Sequence, residues 1–121
     1  MTVLADSSVW IGHWRHFNPA FARLLDAGAV IVHRFVIGEL AVGVISRRDE
    51  VLAELHKLPW ARMAEHDEVL TLVAYHRLWG TGVGWADVHL LASALLSGVR
   101  LWTLDRPLAR QAERLGVAFA A

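Results

Sequence analysis

The chain of 121 residues has no cysteine, one lysine, one tyrosine, three prolines and no net charge, with twelve basic against twelve acidic side chains. Without cysteine there is no disulfide, no thiolate nucleophile and no cysteine-bound zinc, so a reactive site must work through oxygen and nitrogen. Without a surplus of positive charge, nothing in the overall balance marks a nucleic-acid binder, and any such partner must be gripped locally. No apolar run approaches the ~20 residues that span a bilayer, and the start lacks a basic region followed by an apolar signal core. A soluble, cytoplasmic protein with no membrane association is expected. Low-complexity linkers, repeats and composition breaks are also missing, so residues 1–121 are expected to form a single domain.

What is present is apolar: hydrophobic residues make up 55% of the chain and charged residues 20%. That excludes intrinsic disorder and leaves a compact core with apolar surface to spare for an interface. Eleven of the twelve basic residues are arginine. The bias suits bidentate contacts to phosphate or carboxylate, and is equally what a GC-rich genome encodes.

Strand-like and helix-like segments alternate. TVLAD (2–6) is a short apolar run ending in an acid, and SSVWIGHWRH after it places Val9, Trp10, Trp14 and Phe17 at helical spacing. Asn18 and Pro19 end that helix, PAFARLLDAG forms another stopped by Gly28, and AVIVH (29–33) reads as a second strand. Helices are expected over 35–48, 49–58 and 67–79, with a third short strand near WARMAEH. The loop GTGVG (80–84) leads into a mostly buried helix over 85–98, followed by the strand VRLWTLD, a helix RPLARQAERLG with Pro107 in its first turn, and a fifth strand at VAFA. Such alternation implies a parallel sheet of about five strands between two helix layers, a three-layer α/β/α architecture. In such sheets the functional crevice lies outside the carboxyl ends of the strands.

Four acids bear on that edge. Asp6 closes the first strand, Asp105 closes the fourth, Asp87 lies in the first turn of the helix after the glycine loop, and Glu39 sits between Gly38 and Leu40 in an apolar helix. Each aspartate has an ordinary explanation as a helix cap or turn residue, a contribution of around 1 kcal/mol. Glu39 is harder to dismiss, because an unpaired carboxylate on a mostly buried helix costs several kcal/mol. If the four converge, each close pair opposes the fold by about 4 kcal/mol at 4 Å and an effective dielectric near 20. A hard divalent cation, Mg²⁺ or Mn²⁺, relieves that repulsion, and such an ion can direct water at a phosphodiester.

LADSSVWI, VIGELAVG, GWADVHLLASALL and LWTLD resemble, in order and spacing, the motifs of PIN-domain ribonucleases, and more closely those of VapC-type toxins from type II toxin-antitoxin pairs. The resemblance implies a three-layer PIN fold with five parallel strands and a Mg²⁺-dependent endoribonuclease acting on RNA. It further implies a cognate antitoxin lying along the early helices, and a homodimer. By motif, Asp6 and Asp87 match the acids named first as metal ligands, Glu39 the helix glutamate and Asp105 the acid after the late strand. Ser7 or Ser8 stands where the family carries a hydroxyl beside the first acid, and Thr103 at another polar position. Many relatives carry a further acid two residues after the last one; here Arg106 and Pro107 follow Asp105, so a single ion on Asp6 and Asp87 is expected.

Other features carry less. His13 and His16 share helical spacing but have no third zinc ligand nearby, and His89 is expected to pack or cap. GTGVG lacks the Lys-Ser/Thr of a P-loop. Trp10, Trp60, Trp79 and Trp102 are expected in the core, and Trp14 and Trp85 at an interface or against a base. Arg15, Arg47, Arg48, Arg106 and Arg110 are candidates for phosphate contacts. A receiver-like signalling domain would also gather acids around Mg²⁺, but it needs a lysine at the end of a late strand, and Lys57 lies in a helical segment. A phosphatase would need Asp-x-Asp after the first strand, which ADSSV does not supply.

Overall fold

Val3, Leu4 and Ala5 are wholly shielded from solvent and form β1 (Val3–Ala5), the centre of the sheet. The computed structural model describes residues 1–120. After β1 come α1 (Ser7–Arg15), α2 (Pro19–Asp26), β2 (Val30–Ile31), α3 (Arg34–Ala41) and α4 (Arg48–Lys57). Then follow α5 (His66–His76), α6 (Trp85–Ser97), β3 (Arg100–Trp102) and α7 (Arg106–Arg114). The strands are parallel, in the order β2-β1-β3, with Val3 opposite both Val30 and Arg100.

The sheet has three strands rather than five, because each expected edge strand contracts to a single parallel bridge. At one edge the Val32 N–H donates to the Pro59 carbonyl (2.9 Å) and the Ala61 N–H donates to the Val32 carbonyl (2.7 Å). Pro59 has no N–H with which to extend the ladder. At the other edge Leu101 exchanges two bonds with the backbone flanking Ala118. Edges this short offer little to a foreign strand. The connections leave β1 in both directions, so the strand order switches between β1 and β3, the place where open α/β sheets form their crevice.

Helices cover the sheet in a three-layer α/β/α arrangement, with α1, α3 and α4 packed together and α5 against α6. The residues from Val88 to Ala94 in α6 are all buried, which explains why this helix is apolar on every side. Gly98, at φ 65°, closes it in the left-handed conformation that favours glycine. Beside α1, Phe21 is the pivot of an aromatic cluster, edge-on to Trp10 (4.8 Å) and to Trp102 (5.6 Å). Burying such side chains stabilises the fold by roughly 1.5–3 kcal/mol each.

Two expectations about the core need correction. Trp10 and Trp102 are buried, but Trp60 and Trp79 are exposed, at 40% and 64%. Trp60 lies under the Arg34 guanidinium at 5.0 Å, and Trp79 follows the left-handed Arg77 that ends α5. The helix expected over 35–48 stops at Ala41, and the chain turns through Gly43 before Arg47, at φ 54°, starts α4.

Candidate active site

Asp6 follows β1 directly and caps α1: one carboxylate oxygen, Oδ1, accepts the Val9 N–H at 3.2 Å. The same oxygen accepts the Ser8 hydroxyl, and Oδ2 accepts the Thr103 hydroxyl from the far side of β3. Both hydroxyls are themselves fixed. Ser8 Oγ accepts the Leu104 N–H (2.9 Å), and Thr103 Oγ1 accepts the Asp105 N–H (3.0 Å). With their lone pairs engaged by backbone donors, each hydroxyl turns its only hydrogen to Asp6. The side chain is 5% exposed, and burial pushes its carboxyl above the ordinary value despite the bonds from Ser8, Thr103 and Val9 that pull it down.

Glu39 and Asp87 approach the same corner from other elements. On α3, Val36, Ile37 and Leu40 point inward while Gly38 and Glu39 face solvent, so Glu39 is not enclosed by its apolar neighbours as expected. Its carboxyl is nevertheless held above the ordinary range, first by desolvation and then by the negative charges of Asp87 and Asp6, with the Ser7 hydroxyl opposing. The two serines thus divide the work: Ser8 holds Asp6 and Ser7 faces Glu39. Asp87, partly buried in the first turn of α6, accepts the Gly84 N–H through Oδ2 at 3.0 Å and so ties the loop to the helix.

Asp105 belongs to the next rank. It caps α7, accepting the Leu108 N–H at 3.1 Å, and reaches Asp6 only through the Thr103 hydroxyl that its own backbone supports. It lies beyond β3 rather than in it, and its capping role is the ordinary one the sequence allowed. Pro107 packs close to the loop: a Cβ on Gly82 would meet it at 3.2 Å, and Gly82 has φ 90°.

Asp6, Glu39 and Asp87 therefore form an acidic corner at the carboxyl end of β1, and none of them has a cationic partner among the described residues. The ion pairs there are Arg47–Glu50, Arg48–Asp49 and Lys57–Glu54, all exposed and all on α4 or its lead-in. Lys57, engaged with Glu54 at 3.0 Å, is not available as the lysine of a receiver domain. Hard oxygen donors with unrelieved like charge fit a divalent cation. Among the described residues no three His, Asp or Glu side chains close into a ready-made ligand cage.

Sequence reading missed a ring stack next to this corner. His33, fully buried at the start of α3, accepts the Phe35 N–H at 2.9 Å, and burial and His89 depress it to about 4. Phe35 packs on His89 (4.6 Å), His89 on Trp85 (4.8 Å) and Trp85 on His66 (5.0 Å). His89 thus packs, as expected, and the stack joins the helices that carry Glu39 and Asp87. Trp85 and His89 are neighbours at i,i+4 on α6, but Phe35 and His66 come from elements too distant along the chain for local spacing to reveal them.

The PIN-domain family model matches residues 3–114. Ribonuclease VapC32 of Mycobacterium tuberculosis, from strains CDC 1551 / Oshkosh and ATCC 25618 / H37Rv, is 45% identical over 119 residues, covering 98% of this chain and 96% of the relative. PAE2754 from Pyrobaculum aerophilum, a solved structure, superposes with a TM-score of 0.61 over 96% of this chain and 90% of that one. At 17% identity that likeness is one of fold alone. With a family match running from β1 to α7, and close identity to such a ribonuclease along almost the whole chain, the protein belongs to the PIN-domain family, among its VapC-type ribonucleases.

Proposed function

We propose that this chain is a metal-dependent endoribonuclease and the toxic half of a toxin-antitoxin pair, using one Mg²⁺, or Mn²⁺ in its place, held by Asp6 and Asp87. The observation that carries this reading is the acidic corner itself, where Glu39 feels the charges of both Asp87 and Asp6 and no ion pair relieves them among the described residues. A bound ion there would neutralise charge growing on the phosphorus oxygens and ease deprotonation of a water. Asp6, immobilised by Ser8 and Thr103, gives the site a fixed ligand. Glu39, whose proton affinity is raised by burial and by Asp87 and Asp6, would take a proton from the attacking water as general base. The water oxygen bonds to phosphorus, the bond to the leaving sugar oxygen breaks, and that oxygen departs protonated from solvent. Asp105 acts through Thr103 as a positioning residue.

The rest of the surface suits the partners of such a toxin. A groove of ≈ 710 Å³ along α1, α3 and α4, lined by Ile11, Trp14, Leu40, Val44 and Ile45, opens next to Glu39 and would take an antitoxin segment. Exposed Leu70, Tyr75 and Trp79 on and after α5, with Leu95 and Leu96 on α6, offer apolar area for a homodimer. No helix of the described residues is long and apolar enough to cross a membrane.

The test is to induce the chain in cells and sequence the RNA ends produced, with the Asp87→Asn variant as control. Discrete new ends with the parent chain and none with the variant are expected. Identical ends from both would overturn the assignment.

A further inference from the structure

The chain has no net charge, yet α3, α4 and α7 each begin on an arginine, Arg34, Arg48 and Arg106. Arg106 is the first residue of α7, where the positive end of the helix dipole disfavours a cation. Arg110 follows at i,i+4, where a second like charge is again unfavourable. Both side chains are exposed, and neither forms an ion pair or a side-chain hydrogen bond among the described residues. The arginines that open the other two helices have partners: Arg34 lies over the Trp60 ring at 5.0 Å, and Arg48 donates to the Ala41 carbonyl at 2.9 Å and pairs with Asp49. The buried face of α7 is set by Leu108 and Ala112. Arg106 and Arg110 lie two positions to either side of Leu108, about 200° round the helix from it, and so share the solvent face.

A local cost with no return inside the fold marks a functional surface. α7 begins at Asp105, whose N–H fixes Thr103 against Asp6, so this arginine pair starts at the acidic corner and leads away from it. Successive arginines at i,i+4 rise about 6 Å, comparable to the step between phosphates of an extended strand. The guanidinium fork suits phosphate oxygens.

We infer that Arg106 and Arg110 form a phosphate track that holds single-stranded RNA beside the cleavage site, reading backbone rather than sequence. The inference deepens the ribonuclease reading and rests on it. Cations at this point also explain how a chain with no net charge and an acidic site can hold a polyanion: the attraction is concentrated where the strand enters.

The test uses a fluorescein-labelled single-stranded RNA 12-mer of mixed sequence, bound in Mg²⁺ buffer by the full chain carrying Asp87→Asn, with anisotropy measured across a KCl series. Each lost phosphate contact should flatten the plot of log affinity against log salt by about 0.7. The Arg106→Ala, Arg110→Ala double variant should therefore lose about 1.4 from the slope, and at least about ten-fold in affinity at low salt. The corresponding lysine variant should keep the slope. The alanine variant should also melt no lower than its parent, because it removes repulsion from a helix start. An unchanged salt slope, or a lower melting temperature, would overturn the inference and return the arginines to ordinary surface or structural roles. Cleavage of the same RNA by the chain with Asp87 intact, run in parallel, separates the two claims: cleavage with an unchanged slope sinks only the track, whereas no cleavage sinks the ribonuclease reading.

Discussion

Two sides of the acidic corner are built differently. At the β1–β3 side, Asp6 is buried and both its oxygens are engaged by hydroxyls that backbone N–H groups hold in place. On the α3–α6 side, Glu39 is exposed and Asp87 partly so, and only Asp87 has a backbone tie, to Gly84. The corner thus has one immobile carboxylate and two adjustable ones. A site of that kind can stay open enough to admit a strand and still fix the position of an ion.

The strongest way to break this comparison is to change side-chain length. Asp6→Asn and Asp87→Asn should each lower RNA cleavage by about a hundred-fold or more, as expected when a carboxylate ligand is neutralised. Asp6→Glu should be as damaging as Asp6→Asn, because the packed corner has no room for another methylene. Asp87→Glu should keep measurable activity. Equal tolerance at both positions, measured as initial cleavage rates, would erase the distinction.

A smaller effect is expected from the supports of Asp6. Ser8→Ala and Thr103→Val should each reduce cleavage about 10- to 100-fold, the usual range when a partner of a metal ligand is lost. Thr103→Ser should restore most of it. Full activity in Thr103→Val would mean that the hydroxyl network does not position Asp6.

Stability sharpens the comparison further. Glu39 has a folded-state pKa above its ordinary 4.5, so its contribution is intact below that value and is lost as pH rises through the folded one. Above the folded value and without divalent metal, Glu39→Gln should raise the melting temperature, because it removes the repulsion from Asp87 and Asp6. Added Mg²⁺ should stabilise the parent chain more than the variant. A variant that melts lower in chelator would contradict the repulsion.

The least effect lies in the ring stack. His33 is depressed from 6.5 to about 4, so stability present above pH 6.5 is lost as pH falls toward 4, where the unfolded chain takes up a proton first. His33→Asn, which can still cap α3, should flatten that acid-side loss in melting curves between pH 7 and 5. An unchanged slope would mean that His33 is not the group responsible.

Much of this was legible in the sequence, and the gaps have physical causes. Alternating apolar runs and glycine stops gave the helices and the central parallel strands, because those patterns are local. The edge strands were overstated, since two hydrogen bonds flanked by Pro59 look in sequence like a strand but cannot propagate as one. Trp60 and Trp79 were misplaced because an indole under a guanidinium or beyond a helix stop is stable while exposed. Asp6, Glu39 and Asp87 could be named from their positions, whereas the division of labour between Ser7 and Ser8, and the place of Asp105 behind Thr103, depend on contacts spanning the chain from Ser8 to Leu104.

The central claim is that the fixed and adjustable sides of the corner meet on one divalent ion. Calorimetric titration of the purified chain with Mn²⁺, repeated with Asp6→Asn, Asp87→Asn, tests it most directly. One ion per chain, displaced by Mg²⁺ and lost in the double variant while the fold persists, is the result the account requires. Absence of binding to the parent chain, or equal binding to both, would contradict it.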